Sequence, residues 1–136
     1  MTDDQKPQRR RAGETALIAT IPEAEPLVGA LRRRYDSSAD AGIPAHVTVL
    51  YPFLEESRID AGVIGALTEV LGAHEPFEVR FTHCGRFPDA LFLAPEPVGP
   101  FRALTESVFG RWPETPPYAG KFTEVVPHLT VAYTHG

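Results

Sequence analysis

Two short segments of this chain carry the same reactive side chains at the same spacing. Residues 46–51 read His-Val-Thr-Val-Leu-Tyr and residues 128–133 read His-Leu-Thr-Val-Ala-Tyr, with Pro44 and Pro127 just before them. On a strand, residues two apart share a face about 6.5–7 Å apart. His46 therefore sides with Thr48, and His128 with Thr130. The same alternation sends Leu50 to the His46 face and Val47, Val49 and Tyr51 away from it. In the second copy it turns Leu129, Val131 and Tyr133 away from His128. An imidazole beside a hydroxyl, twice over, suits the opening of a phosphodiester. In-line displacement needs a base for the attacking oxygen and an acid for the departing one. Two imidazoles with ordinary pKa values near 6.5 fill both roles near neutral pH. Two hydroxyls supply donors for the charge that develops on the non-bridging oxygens. His46 and His128 are thus the candidate acid–base pair, and Thr48 and Thr130 the candidate phosphate-binding groups. This chemistry requires no metal and no cofactor, and no ligand cluster stands out in the sequence.

The elements around the two motifs repeat as well. An apolar, β-prone run at Thr15–Ile21 ends at Pro22 and reads as a strand. Glu23–Tyr35 has Leu27, Val28, Leu31 and Tyr35 at helical spacing, with acidic residues first and Arg32 to Arg34 last, as the helix dipole favours. Ser37–Pro44 is a loop and Ala45–Tyr51 the first motif strand. Ala90–Ala94 then reads as a strand, Phe101–Trp112 as a helix and Val125–Thr134 as the second motif strand. The order strand, helix, His-x-Thr strand occurs twice, which implies two similar lobes about a pseudo-twofold axis. Between them Ser57 is the expected N-cap of a helix over 57–72, buried through Ile59, Val63, Leu67, Val70 and Leu71. Phe77–Thr82 alternates as a further strand. By the repeat, helix 57–72 and strand 77–82 have no counterpart after Tyr133. The second lobe is thus expected to be truncated, with an open face or edge; either a second copy of the chain covers it as a homodimer, or the chain is a fragment of a longer protein.

Composition narrows the partners. The chain has 136 residues, 43% apolar and 23% charged, which is one globular domain's worth. Residues 1–14 are expected to be a flexible tail and 15–136 the single domain. Cys84 is the only cysteine, so no internal disulfide is available, and no apolar stretch is long enough for a membrane span. These features point to the cytoplasm and to no membrane partner. A net charge of −5 argues against wrapping a long nucleic-acid duplex. Arg9–Arg11 and Arg32–Arg34 read as solvated charge runs. A nucleotide or an RNA terminus, which needs only a few donors, stays open as the ligand. His83 and Cys84 are neighbours on a strand and face opposite sides, so they do not form a thiol–base pair. Phe87 and Phe92 read as core or as rings for stacking a base. Just before the second motif, Tyr118 is a candidate substrate contact, and Lys121 reads as a solvated lysine or as a phosphate contact.

His46-Val47-Thr48 and His128-Leu129-Thr130 resemble the paired His-x-Thr/Ser motifs of the 2H phosphoesterase superfamily, nearest to its 2′-5′ RNA ligase-like group. Similar text joins them: Gly85-Arg86-Phe87-Pro88, Leu91-Phe92-Leu93-Ala94-Pro95, and Pro116 to Phe122. The resemblance runs from about Thr15 to the end. It implies a bilobal α+β fold with two antiparallel sheets flanking a central cleft. It also implies metal-independent chemistry on 2′,3′-cyclic or 2′-5′-linked phosphodiesters of RNA ends or nucleotides, by hydrolysis or ligation. The alternative is a non-catalytic module that holds a nucleotide or RNA end in the same cleft.

Overall fold

A computed structural model of the protein describes residues 12–36, 39, 41–120 and 126–133. The strands are β1 (Leu17–Thr20), β2 (His46–Leu50), β3 (Arg80–Phe87), β4 (Ala90–Glu96) and β5 (Leu129–Tyr133). The helices are α1 (Glu25–Tyr35), α2 (Ala61–Gly72) and α3 (Gly99–Arg111). The fold is α+β, as expected, but the strands form one sheet rather than two, in the order β1-β2-β5-β4-β3, antiparallel throughout.

The repeat is real at the level of topology. β1–α1–β2 and β4–α3–β5 are matching halves, and β2 pairs with β5 where they meet. The two halves do not stand apart as lobes because each helix covers the other half's motif strand. α1 packs on β5, and α3 on β2. Val47 and Leu129, paired directly across the ladder, are 0% exposed beneath these helices. Val28 of α1 and Phe101 of α3 join them in one apolar cluster. A second cluster gathers Val49, Leu50, Phe53, Leu54, Leu67, Val108 and Trp112, with α2 against α3.

This arrangement removes the truncation argument. β5 is an interior strand with β2 on one side and β4 on the other, Val131 and Ala132 are buried, and Val131 packs in one cluster with Val28 of α1 and Phe101 of α3. The elements assigned to the first half belong beside the second: β3 edges β4, and α2 flanks α3. With no open edge at β5, the reason for a homodimer there disappears. Among the described residues no helix is long and apolar enough to cross a membrane.

Local readings shift in four places. The strand expected over Phe77–Thr82 runs over Arg80–Phe87. Asp60, not Ser57, caps α2, its Oδ1 accepting the Val63 N–H at 2.9 Å, while Ser57 lies in a 3-10 turn over Glu56–Arg58. Asp60 has the extended backbone an N-cap requires. Part of the expected tail is tied down. Gly13 O accepts the Glu56 N–H at 2.8 Å, and Glu14 accepts the Tyr51 hydroxyl proton at 2.6 Å. Residues 1–11 of that tail lie outside the described residues. Helix α1 is rotated from the face its leucines suggest: Leu27 is 82% exposed, with Leu31 and Tyr35 also outward, and Arg32 is 2% exposed.

Candidate active site

The four motif side chains share the sheet face that the helices leave open. Val47 stands opposite Leu129. One residue either way, the same antiparallel register sets His46 across from Thr130 and Thr48 across from His128. Residues in register lie on the same face, so the four make a rectangle with the histidines at diagonal corners. Such diagonal neighbours are about 7–8 Å apart at their backbones. The site is a floor built on one sheet, where a cleft between two had been expected.

Both imidazoles are held the same way. His46 Nδ1–H donates to Pro44 O at 2.9 Å, and His128 Nδ1–H donates to Val126 O at 2.7 Å. A carbonyl only accepts, so each Nδ1 carries the proton. The neutral ring then keeps its lone pair on Nε2, the nitrogen free for chemistry.

Just past the threonines both strands bulge. Leu17 pairs with Leu50 but Ile18 with Thr48, so Val49 is an extra residue. Leu91 pairs with Ala132 but Phe92 with Thr130, so Val131 is extra at the matching position. A bulge resets the alternation of the strand beyond it. Leu50 and Ala132 accordingly turn into the core, and the tyrosines are redirected to the open face. That reverses the expected facing of Leu50, Tyr51 and Tyr133. The Tyr133 hydroxyl is hydrogen-bonded with the Thr130 side chain. Burial, with the charges of Asp36 and Asp89 nearby, holds that phenol well above its usual range. The sequence did carry a sign of the bulges. Val49-Leu50 and Val131-Ala132 are apolar doublets that break a period of two.

The surroundings of the two histidines differ. Phe87 sits edge-on to His128 at 4.9 Å, and Phe92 lies 5.5 Å from it. The two phenyl rings are 4.5 Å apart. Phe92 is 8% exposed and rests on Gly85, its ladder partner. A Cβ at Gly85 would meet the Phe92 ring at 2.5 Å, so only glycine admits the ring there. Phe92 is thus a wall for the imidazole, and Phe87 is half-buried over it. Burial lowers the His128 pKa from its ordinary value. The bond to Val126 opposes this, and the charge of His46 adds to it.

Tyr118 packs against Tyr51, the residue after β2. Its N–H donates to Tyr51 O at 2.6 Å, and its ring stands edge-on to Tyr51 at 6.4 Å. It sits with Ala119 in the left-handed region, φ 53° and 57°, a costly conformation for residues with a Cβ. Burial raises its pKa. Lys121 lies outside the described residues. The remaining candidates lie elsewhere: His74 Nε2 meets Ser107 Oγ at 2.8 Å, and His83 and Cys84 are exposed on β3. Among the described residues no three His, Cys, Asp or Glu side chains gather as metal ligands.

Neither curated proteins nor solved structures give a match to this chain. A family model does: residues 21–135 match that of the 2′-5′ RNA ligase superfamily, a span that contains both His-x-Thr motifs. The chain belongs to the 2′-5′ RNA ligase superfamily, within the 2H phosphoesterases.

Proposed function

We propose that this protein is a metal-independent phosphodiesterase that opens 2′,3′-cyclic phosphates, or cleaves 2′-5′ linkages, at RNA ends or on nucleotides. The observation that carries the reading is the matched pair of imidazoles, each with Nδ1–H bound to a carbonyl two residues back. That leaves two Nε2 atoms at diagonal corners of one floor, with a threonine hydroxyl at each remaining corner. A phosphoryl group over the centre has one imidazole on either side, as in-line displacement needs.

In this reading His128 is the base. Its lowered pKa keeps it neutral, and its Nε2 takes a proton from the attacking water. His46, protonated, gives its Nε2 proton to the departing ribose oxygen. Thr48 and Thr130 donate to the non-bridging oxygens as charge builds on them. Phe87 offers the substrate's base an apolar surface beside the phosphate. The test is turnover of a panel of 2′,3′-cyclic nucleotides, ADP-ribose cyclic phosphate and a 2′-5′ dinucleotide, with and without EDTA. Turnover of at least one substrate, unchanged by EDTA, is expected. Tight binding of a cyclic nucleotide with no turnover would contradict the enzyme and favour a binding module.

A further inference from the structure

Arg32 is the least exposed charged side chain among the described residues, at 2%. Among the groups that hold it are Asp36 Oδ2 at 3.2 Å from Nε, Glu25 Oε2 at 3.3 Å from Nη1, and the carbonyl of Ile43, which accepts from Nη2 at 3.0 Å. Glu25 Oε2 also accepts the Ala45 N–H at 2.7 Å. The network therefore grips the backbone at residues 43 and 45, on both sides of Pro44. Pro44 has no N–H of its own to anchor it, and its carbonyl is the acceptor for His46 Nδ1–H.

We propose that Glu25, Arg32 and Asp36 form a positioning device for His46, holding the Pro44 carbonyl where it fixes the ring's tautomer and aim. The energetics favour a positional role. A buried ion network contributes little net stability, and apolar residues of similar volume often serve as well. What leucine cannot do is clamp a carbonyl and an amide at set distances. The same network reaches the neighbouring corner of the site. The charge of Asp36 is felt at the Tyr133 hydroxyl, which bonds Thr130, the residue across from His46. His128 depends on a different support, the rings of Phe87 and Phe92. The two halves thus hold the same motif by different means, one ionic and one aromatic.

The effect on turnover rests on the phosphodiesterase reading, but the positioning itself is measurable without it. Long-range ¹H–¹⁵N spectra of the full chain report the tautomer of each imidazole. In the unaltered protein both rings are expected as Nδ1–H. In Glu25→Ala, His46 is expected to become a mixture of tautomers while His128 stays unchanged. With a cyclic nucleotide, kcat should fall about tenfold or more, with KM within about twofold, the mark of misplacement rather than lost binding. Glu25→Gln keeps an oxygen for the Ala45 N–H and should restore both the tautomer and most of kcat. Arg32→Lys, which keeps a charge for Asp36 and loses the fork to Ile43, should disturb His46 in the same sense and serves if Glu25→Ala does not fold. A His46 ring that stays wholly Nδ1–H in these variants, or a His128 that changes equally, would overturn the proposal. Absence of turnover in every protein, the unaltered one included, would instead strike the phosphodiesterase reading and leave the tautomer result to decide this one.

Discussion

His46 and His128 make the same backbone bond but sit against different neighbours, and pH dependence follows from the difference. Phe87 and Phe92 exclude water from His128 and so penalise its imidazolium. In its proposed role as base it must be neutral, so the acidic limb of the kcat/KM profile is expected below the ordinary imidazole value of about 6.5. Phe87→Ala admits water to the ring and should move that limb up toward about 6.5. A limb that stays put would show that Phe87 does not set the His128 environment. Stability carries the same sign. Below about pH 6.5 the unfolded chain protonates this histidine while the folded one resists, so its contribution falls as pH drops through the window beneath 6.5. A pH series of denaturation midpoints, compared with His128→Gln, checks this. The residues themselves were plain in the sequence, because two copies of His-x-Thr on strands have few uses. The aromatic wall was not, because Phe92 on Gly85 is a cross-strand contact whose register no single strand reveals.

Among the elements, the paired bulges did most to reshape the expected site. Strict alternation places Leu50 with His46, and one extra residue sends it to the core instead. The extra residue also needs a partner for its carbonyl. Thr105 of α3 supplies one, its hydroxyl donating to Val49 O at 2.6 Å. Thr105→Val keeps the shape and removes the donor. It should cost about 1–3 kcal/mol in chemical denaturation, the penalty for a buried carbonyl left unpaired. A change within about 0.3 kcal/mol would mean that this bond is not what stabilises the bulge, since the expected penalty is several times larger. The strands and helices were otherwise legible to within a few residues. Apolar periodicity marks them, whereas caps such as Asp60 depend on backbone geometry that spacing alone does not fix.

At the scale of the molecule, the repeat predicted matched halves and the structure has them. What periodicity could not convey is that the halves share one sheet and exchange helices, α1 covering β5 and α3 covering β2. That exchange decides which face of α1 is buried. The helix turns the Val28 and Arg32 side inward and leaves Leu27, Leu31 and Tyr35 in solvent, against the pattern of its own leucines. A stability comparison tests this directly. Leu27→Glu should change the unfolding free energy by no more than about 0.5 kcal/mol, as for other exposed sites. Arg32→Met should cost about 3–5 kcal/mol, because it takes the paired guanidinium away from the buried Asp36 carboxylate. The reverse ranking would mean that α1 packs through its leucines.

The central claim is that His46 and His128 act as an acid–base pair on a phosphodiester. Single-turnover hydrolysis of a 2′,3′-cyclic nucleotide by His46→Ala and His128→Ala proteins, each shown to be folded, measures it most directly. Each substitution is expected to lower the rate about 10²–10⁴-fold, the usual contribution of a positioned acid or base. Near-normal turnover by either folded variant would contradict the account.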